Sequence, residues 1–161
     1  MKKIYLIIAL ASTSVFGVTS CSKDETTKAV TDIRDQVIGT FDFKVKYYTA
    51  DGQGNLTPSG KADYSGTFIV TKTDNNTFTA KEGGNVIVVG SKLAAGNNGF
   101  VFDVQEQVIS GSTMTGYNAA TLGGIKYNGL YLNDVKELSF GYQTTVNSVV
   151  NVFIFTANKV Q

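Results

Sequence analysis

Along most of the chain, apolar and polar residues alternate with a period of two. In Phe41-Asp42-Phe43-Lys44-Val45-Lys46-Tyr47 the odd positions are apolar and the even ones charged. Successive side chains of a strand point to opposite faces, so this stretch predicts a strand with one buried and one wet side. Tyr64–Thr73 predicts a second strand, rich in β-branched and aromatic residues. Shorter strands are predicted over residues 77–81 and 86–89, bounded by the turn signals Asp74-Asn75-Asn76 and Gly83-Gly84. Phe100, Phe102 and Val104 alternate with Val101, Asp103 and Gln105, and Leu138, Phe140 and Tyr142 with Ser139, Gly141 and Gln143. Residues 149–155 (VVNVFIF) are apolar on both faces, as a strand is when core lies on one side and another element on the other. Ahead of the first strand, Val30, Ile33 and Val37 recur at three- and four-residue spacing, which suffices for one or two helical turns capping a β structure.

About eight strands joined by polar turns predict an all-β protein, a single antiparallel up-and-down barrel, with a flattened barrel or a β-sandwich as the alternative. Gly39-Thr40-Phe41 is echoed at Gly66-Thr67-Phe68. Two copies are too few for a repeat architecture, and each marks a strand start where glycine allows a bend.

Residues 111–134 (GSTMTGYNAATLGGIKYNGLYLND) break the rhythm. Glycine-rich backbone cradles phosphate where it leads from a strand into a helix N-terminus, but no helical pattern follows here. Two readings stay open. One is one or two short strands joined by tight turns. The other is a loop whose Tyr117, Tyr127 and Tyr131 present rings and hydroxyls to a ligand.

Composition narrows the chemistry. The chain of 161 residues has 14 basic and 13 acidic side chains, a single cysteine and no histidine. The usual transition-metal ligands and the usual general base are therefore missing. No catalytic residue, cofactor or metal site is expected. Asp51-Gly52-Gln53-Gly54-Asn55 lacks the later acids of a calcium loop and reads as a turn.

The cysteine has its own context. Lys2 and Lys3 precede an apolar stretch (IYLIIAL), and Thr19 and Ser20 are small. That layout predicts a signal peptide over residues 1–20, since the apolar run is about half the ~20 residues a membrane span requires. Val18-Thr19-Ser20-Cys21 resembles the lipobox of bacterial lipoproteins. The resemblance implies a diacylglycerol thioether on Cys21, cleavage before it and acylation of its amine. Ser22, Lys23, Asp24 and Glu25 resemble the export signal that sends some Gram-negative lipoproteins to the outer face of the outer membrane. Residues 21–30 are then a lipidated tether and 31–161 the domain. Cleavage removes Lys2 and Lys3 and no acid, so 14 basic residues become 12 against 13 acidic ones. A net charge of −1 offers nothing to nucleic acid.

One domain of about eight antiparallel strands, entered through a helical turn and opening with Gly39-Thr40-Phe41, resembles the calycin group, the lipocalins and their relatives. Lipocalins carry tryptophan where Phe41 stands and pack a late arginine over that ring. This chain has no tryptophan, its arginine is Arg34, and Lys159 is the late cation. A calycin barrel implies a cup for a small apolar ligand.

Together these features predict a non-enzymatic, outer-membrane-anchored lipoprotein whose membrane contact is the lipid on Cys21. Its body binds a small hydrophobic molecule or a glycan. The alternative is a structural subunit that docks on another cell-envelope protein through edge strands or the apolar outer face of residues 149–155. An enclosed apolar cavity of about 300 Å³ or more would favour the binder.

Overall fold

The computed structural model describes residues 32–73, 76–109, 111–118 and 120–161. The expected signal peptide, Cys21, the export signal at 22–25 and the tether lie outside them. One turn of 3-10 helix, Ile33–Gln36, precedes thirteen strands among the described residues. In chain order these are β1 (Gly39–Ala50), β2 (Leu56–Pro58), β3 (Tyr64–Thr73), β4 (Thr77–Glu82), β5 (Asn85–Gly96), β6 (Gly99–Val104) and β7 (Gln107–Ile109). They continue as β8 (Ser112–Tyr117), β9 (Ala120–Leu122), β10 (Ile125–Tyr127), β11 (Gly129–Leu132), β12 (Glu137–Val146) and β13 (Val149–Lys159).

Eight of them close on themselves. β1, β3, β4, β5, β6, β11, β12 and β13 pair antiparallel in that order, and β13 returns to β1. The result is an eight-stranded up-and-down barrel, the architecture the period-two pattern predicts. Closure leaves no free edge in this circuit. Thr31–Gln161 make one compact unit, and it holds every described strand and the whole core. It therefore has what an independently folding domain requires.

The alternation read from the sequence is the alternation of burial. Phe41, Phe43 and Val45 of β1 are buried, while Asp42, Lys44 and Lys46 are exposed. Among the described residues three hairpins turn through two residues with positive φ at both, the geometry that matches the strands' twist: Gly83-Gly84, Gly123-Gly124 and Asn147-Ser148. Among the described residues the irregular region 111–134 contains four short strands, β8 to β11, more than the one or two expected there. β11 pairs the first half of β12, and β8 pairs its second half.

One end is closed. Val37 after the 3-10 turn is fully buried, with Phe41, Phe78, Phe100, Tyr131 and Leu138 in the same core. Arg34 clasps this end: its Nη1 donates to the carbonyls of Thr73 and Thr77, at 2.7 and 3.2 Å, where β3 turns into β4. Its Nη2 pairs with Asp32 at 2.6 Å, and Lys72 reaches both Asp32 and Asp35. Lys159 is the cross-strand partner of Phe41; its stem packs on Gly39, and its ammonium donates to the Gln36 carbonyl at 3.4 Å. The late cation thus sits beside the glycine-x-aromatic corner, without the planar stacking a guanidinium brings.

Rings fill much of the interior. Phe68 stacks on Phe41 and Phe43, and Phe140 on Phe155 at 4.5 Å between centroids. Space for them comes from glycines directly across the ladder: Gly66 faces Phe43, Gly90 faces Phe78 and Gly129 faces Phe102. At Gly90 and Gly129 the ring occupies the room a side chain on the glycine would take, and at Gly66 the Glu82 carboxylate and the Phe43 ring share it.

Candidate functional site

The end opposite the 3-10 turn is open. An apolar recess of about 210 Å³ leads into the barrel there. Its floor is Phe43, Val45, Tyr142 and Phe155; its walls are Ile87, Ile109, Met114 and Phe153. Tyr47, Lys61, Tyr64 and Glu82 form the rim.

Local irregularities bring these side chains together. The register of β4 against β5 slips between Ala80 and Lys81, so that Ala80 pairs with Val88 and Lys81 with Val86. A bulge of this kind re-aims the extra residue, here Ile87, which lines the recess. Toward this end β8, extended by β7, takes the place of β11 beside β12 and contributes Met114 and Ile109. The Gln107 amide secures the seam, donating to the Ile87 carbonyl at 3.3 Å and to the Tyr142 hydroxyl. Burial raises the Tyr142 phenol above its ordinary pKa, against the smaller opposing effect of the Gln107 hydrogen bond. The floor is therefore neutral at any physiological pH.

The rim carries the charge. Tyr64 donates to Glu82 Oε1 at 2.7 Å, and that bond, first among the causes, raises the tyrosine's pKa. Lys61 Nζ stands 4.1 Å from the centre of the Tyr47 ring. An apolar interior with a few polar groups at its edge is what small-molecule sites generally present.

The three tyrosines singled out from the sequence do not converge. Tyr131 is fully buried at the closed end, against Phe41 and Phe100, and burial raises its pKa. Tyr127 lies half-buried in β10. Tyr117 lines a shallow groove of about 480 Å³ on the outer wall, with Asn118, Thr121, Lys126 and Gln143. That groove is larger than the mouth recess, but its polar and open lining gives an apolar group nowhere to be desolvated. The Asp51–Asn55 segment is a turn, its carboxylate accepting from the backbone N–H groups of Gln53 and Asn55 at 2.9 and 2.8 Å. Among the described residues no three His, Cys, Asp or Glu side chains gather as metal ligands would.

Comparison with protein-family models, with curated proteins and with solved structures gave no match.

Proposed function

We propose that the protein is a lipid-anchored binding module whose barrel mouth holds a small hydrophobic molecule. The observation that carries this reading is the apolar recess at the open end, with its ring floor and its polar rim. A preformed apolar cavity on a stiff floor loses little order when a ligand enters, which favours binding. The anchor in this reading is lipid on Cys21, with the signal peptide removed, and residues 22–25 direct the protein to the cell surface of a Gram-negative outer membrane. Two or more acyl chains hold a protein firmly where one does so only reversibly. The reading assigns the protein no enzymatic step.

A docking role on another envelope protein is the second reading. Its support is the filled lower half of the barrel, which leaves the recess short of the ~300 Å³ usual for ligand pockets.

Native mass spectrometry of the domain purified from its own host tests the choice. A carried small molecule supports the binder, and a co-purified protein with an empty mouth refutes it. For the anchor, Cys21→Ala is expected to release the protein from the membrane fraction. Retention of the variant in the membrane pellet refutes lipidation.

A further inference from the structure

We infer that the molecule held at the mouth is an amphiphile with an anionic head, and that Lys61 reads that head; the inference rests on the mouth being a binding site. The recess continues outward. Tyr47, Lys61 and Phe153 line both the inner recess and an adjoining one of about 130 Å³, which Tyr48, Ser59 and Asn151 help to complete. The Tyr47 and Phe153 rings meet edge to face at 5.6 Å, and the Lys61 ammonium lies over the Tyr47 ring. These three residues form a threshold between an apolar chamber and a polar one.

The loop that carries Lys61 is tied down. Ser59 N donates to the Tyr47 carbonyl at 3.0 Å, and Lys61 N donates to Ser59 Oγ at 3.3 Å. The backbone at Lys61 is thus fixed beside β1, and the ammonium rests over the Tyr47 ring.

Charge at the threshold is uncompensated. Lys44, Lys72 and Lys92 each have an aspartate within ion-pair distance, but among the described residues no carboxylate lies so close to Lys61. Glu82, the acid on the same rim, is turned away: it accepts from Tyr64 and packs against Gly66 and so does not neutralise the lysine. A ligand carboxylate would receive a charge-assisted hydrogen bond from Lys61, roughly twice as strong as a neutral one. Tyr48, Ser59 and Asn151 give the same chamber a polar lining, the Asn151 amide also donating to the Val149 carbonyl at 3.3 Å. Below the threshold, 210 Å³ at ~30 Å³ per group accommodates roughly seven methylene-sized groups. A carboxylate on a seven-carbon tail matches both chambers.

Octanoate, 1-octanol and octylammonium are the probes, titrated calorimetrically into the protein from residue 22 onward, which carries the complete folding unit. Octanoate is expected to bind roughly tenfold or more tightly than 1-octanol, the ratio one charge-assisted hydrogen bond supplies. Lys61→Met, a change in an exposed loop, is expected to abolish that ratio, and Lys61→Arg to keep it. Equal binding of octanoate and 1-octanol, a preference for octylammonium, or a ratio that survives in Lys61→Met overturns the anionic head while the mouth stands as a site. Failure of all three probes to bind overturns both.

Discussion

Phe102 of β6 and Gly129 of β11 are direct cross-strand partners, and the Phe102 ring lies where a side chain on residue 129 would begin. Gly129 has no unusual φ to excuse, so its small size is the whole reason for it. The same pairing recurs at Phe43 with Gly66 and at Phe78 with Gly90. A barrel this narrow holds so many rings because glycines across the ladder make room for them.

Gly129→Ala is accordingly expected to destabilise by ~1–3 kcal/mol, the usual cost of overpacking, although alanine suits a strand no worse than glycine does. Adding Phe102→Leu should recover part of the loss, because the two sites are in contact and couple. Denaturant midpoints of the single and double variants measure this. Additive losses contradict it.

The inward row of each strand carries the stability. Phe43, Phe68 and Phe140 are buried, and truncating any of them to alanine is expected to cost ~3–5 kcal/mol. Lys44 and Lys46 face outward; even with the Lys44–Asp63 contact at 2.9 Å, replacing either should stay within about ±0.5 kcal/mol. Urea unfolding ranks them.

How much of this was legible in the sequence follows from strand length. β1, β3 and β12 are ten or more residues long, so a run of alternation within each could be read directly. β11 has four residues, too few to show a period, and a leading glycine disguised it. Tyr131 therefore looked like a loop residue, although it is fully buried. The mouth was harder still. Ile87 reaches it through a register slip, Lys61 through a loop hydrogen-bonded to β1, and Ile109 and Met114 through a hairpin outside the eight-strand circuit. None of these leaves a periodic signal, because each depends on where the chain deviates from period two. Phe43, Val45 and Tyr142 were visible as strand residues but not as a floor. Gly39-Thr40-Phe41 was legible as the start of a strand, and β1 does begin at Gly39.

The clasp at the closed end gives a pH dependence. Hydrogen bonds from the Arg34 side chain, and then from its backbone, hold the Asp32 carboxyl well below the ordinary carboxylate range. A depressed pKa means that the folded state favours the charged form, so the contribution is present above the unfolded pKa and is lost as pH falls through the folded one. Thermal melts of wild type and Arg34→Met should differ most near neutrality, and the gap should shrink below about pH 4. Lys72 works in the opposite sense. Its pKa is raised, chiefly by Asp35, so its share persists below its unfolded value and is lost only at strongly alkaline pH. A melting difference independent of pH between 2 and 7 would exclude the Asp32–Arg34 contact as its source.

The most direct test of the mouth as a binding site is a titration of 1-octanol into isotope-labelled protein followed by amide chemical shifts. The expected result is a saturable shift concentrated at Ile87, Ile109, Met114 and Phe153, with Phe78, Phe100 and Tyr131 at the closed end unmoved. Shifts that never saturate, or that cluster at Tyr117 and Lys126 on the outer wall, would contradict a binding site in the mouth of the barrel.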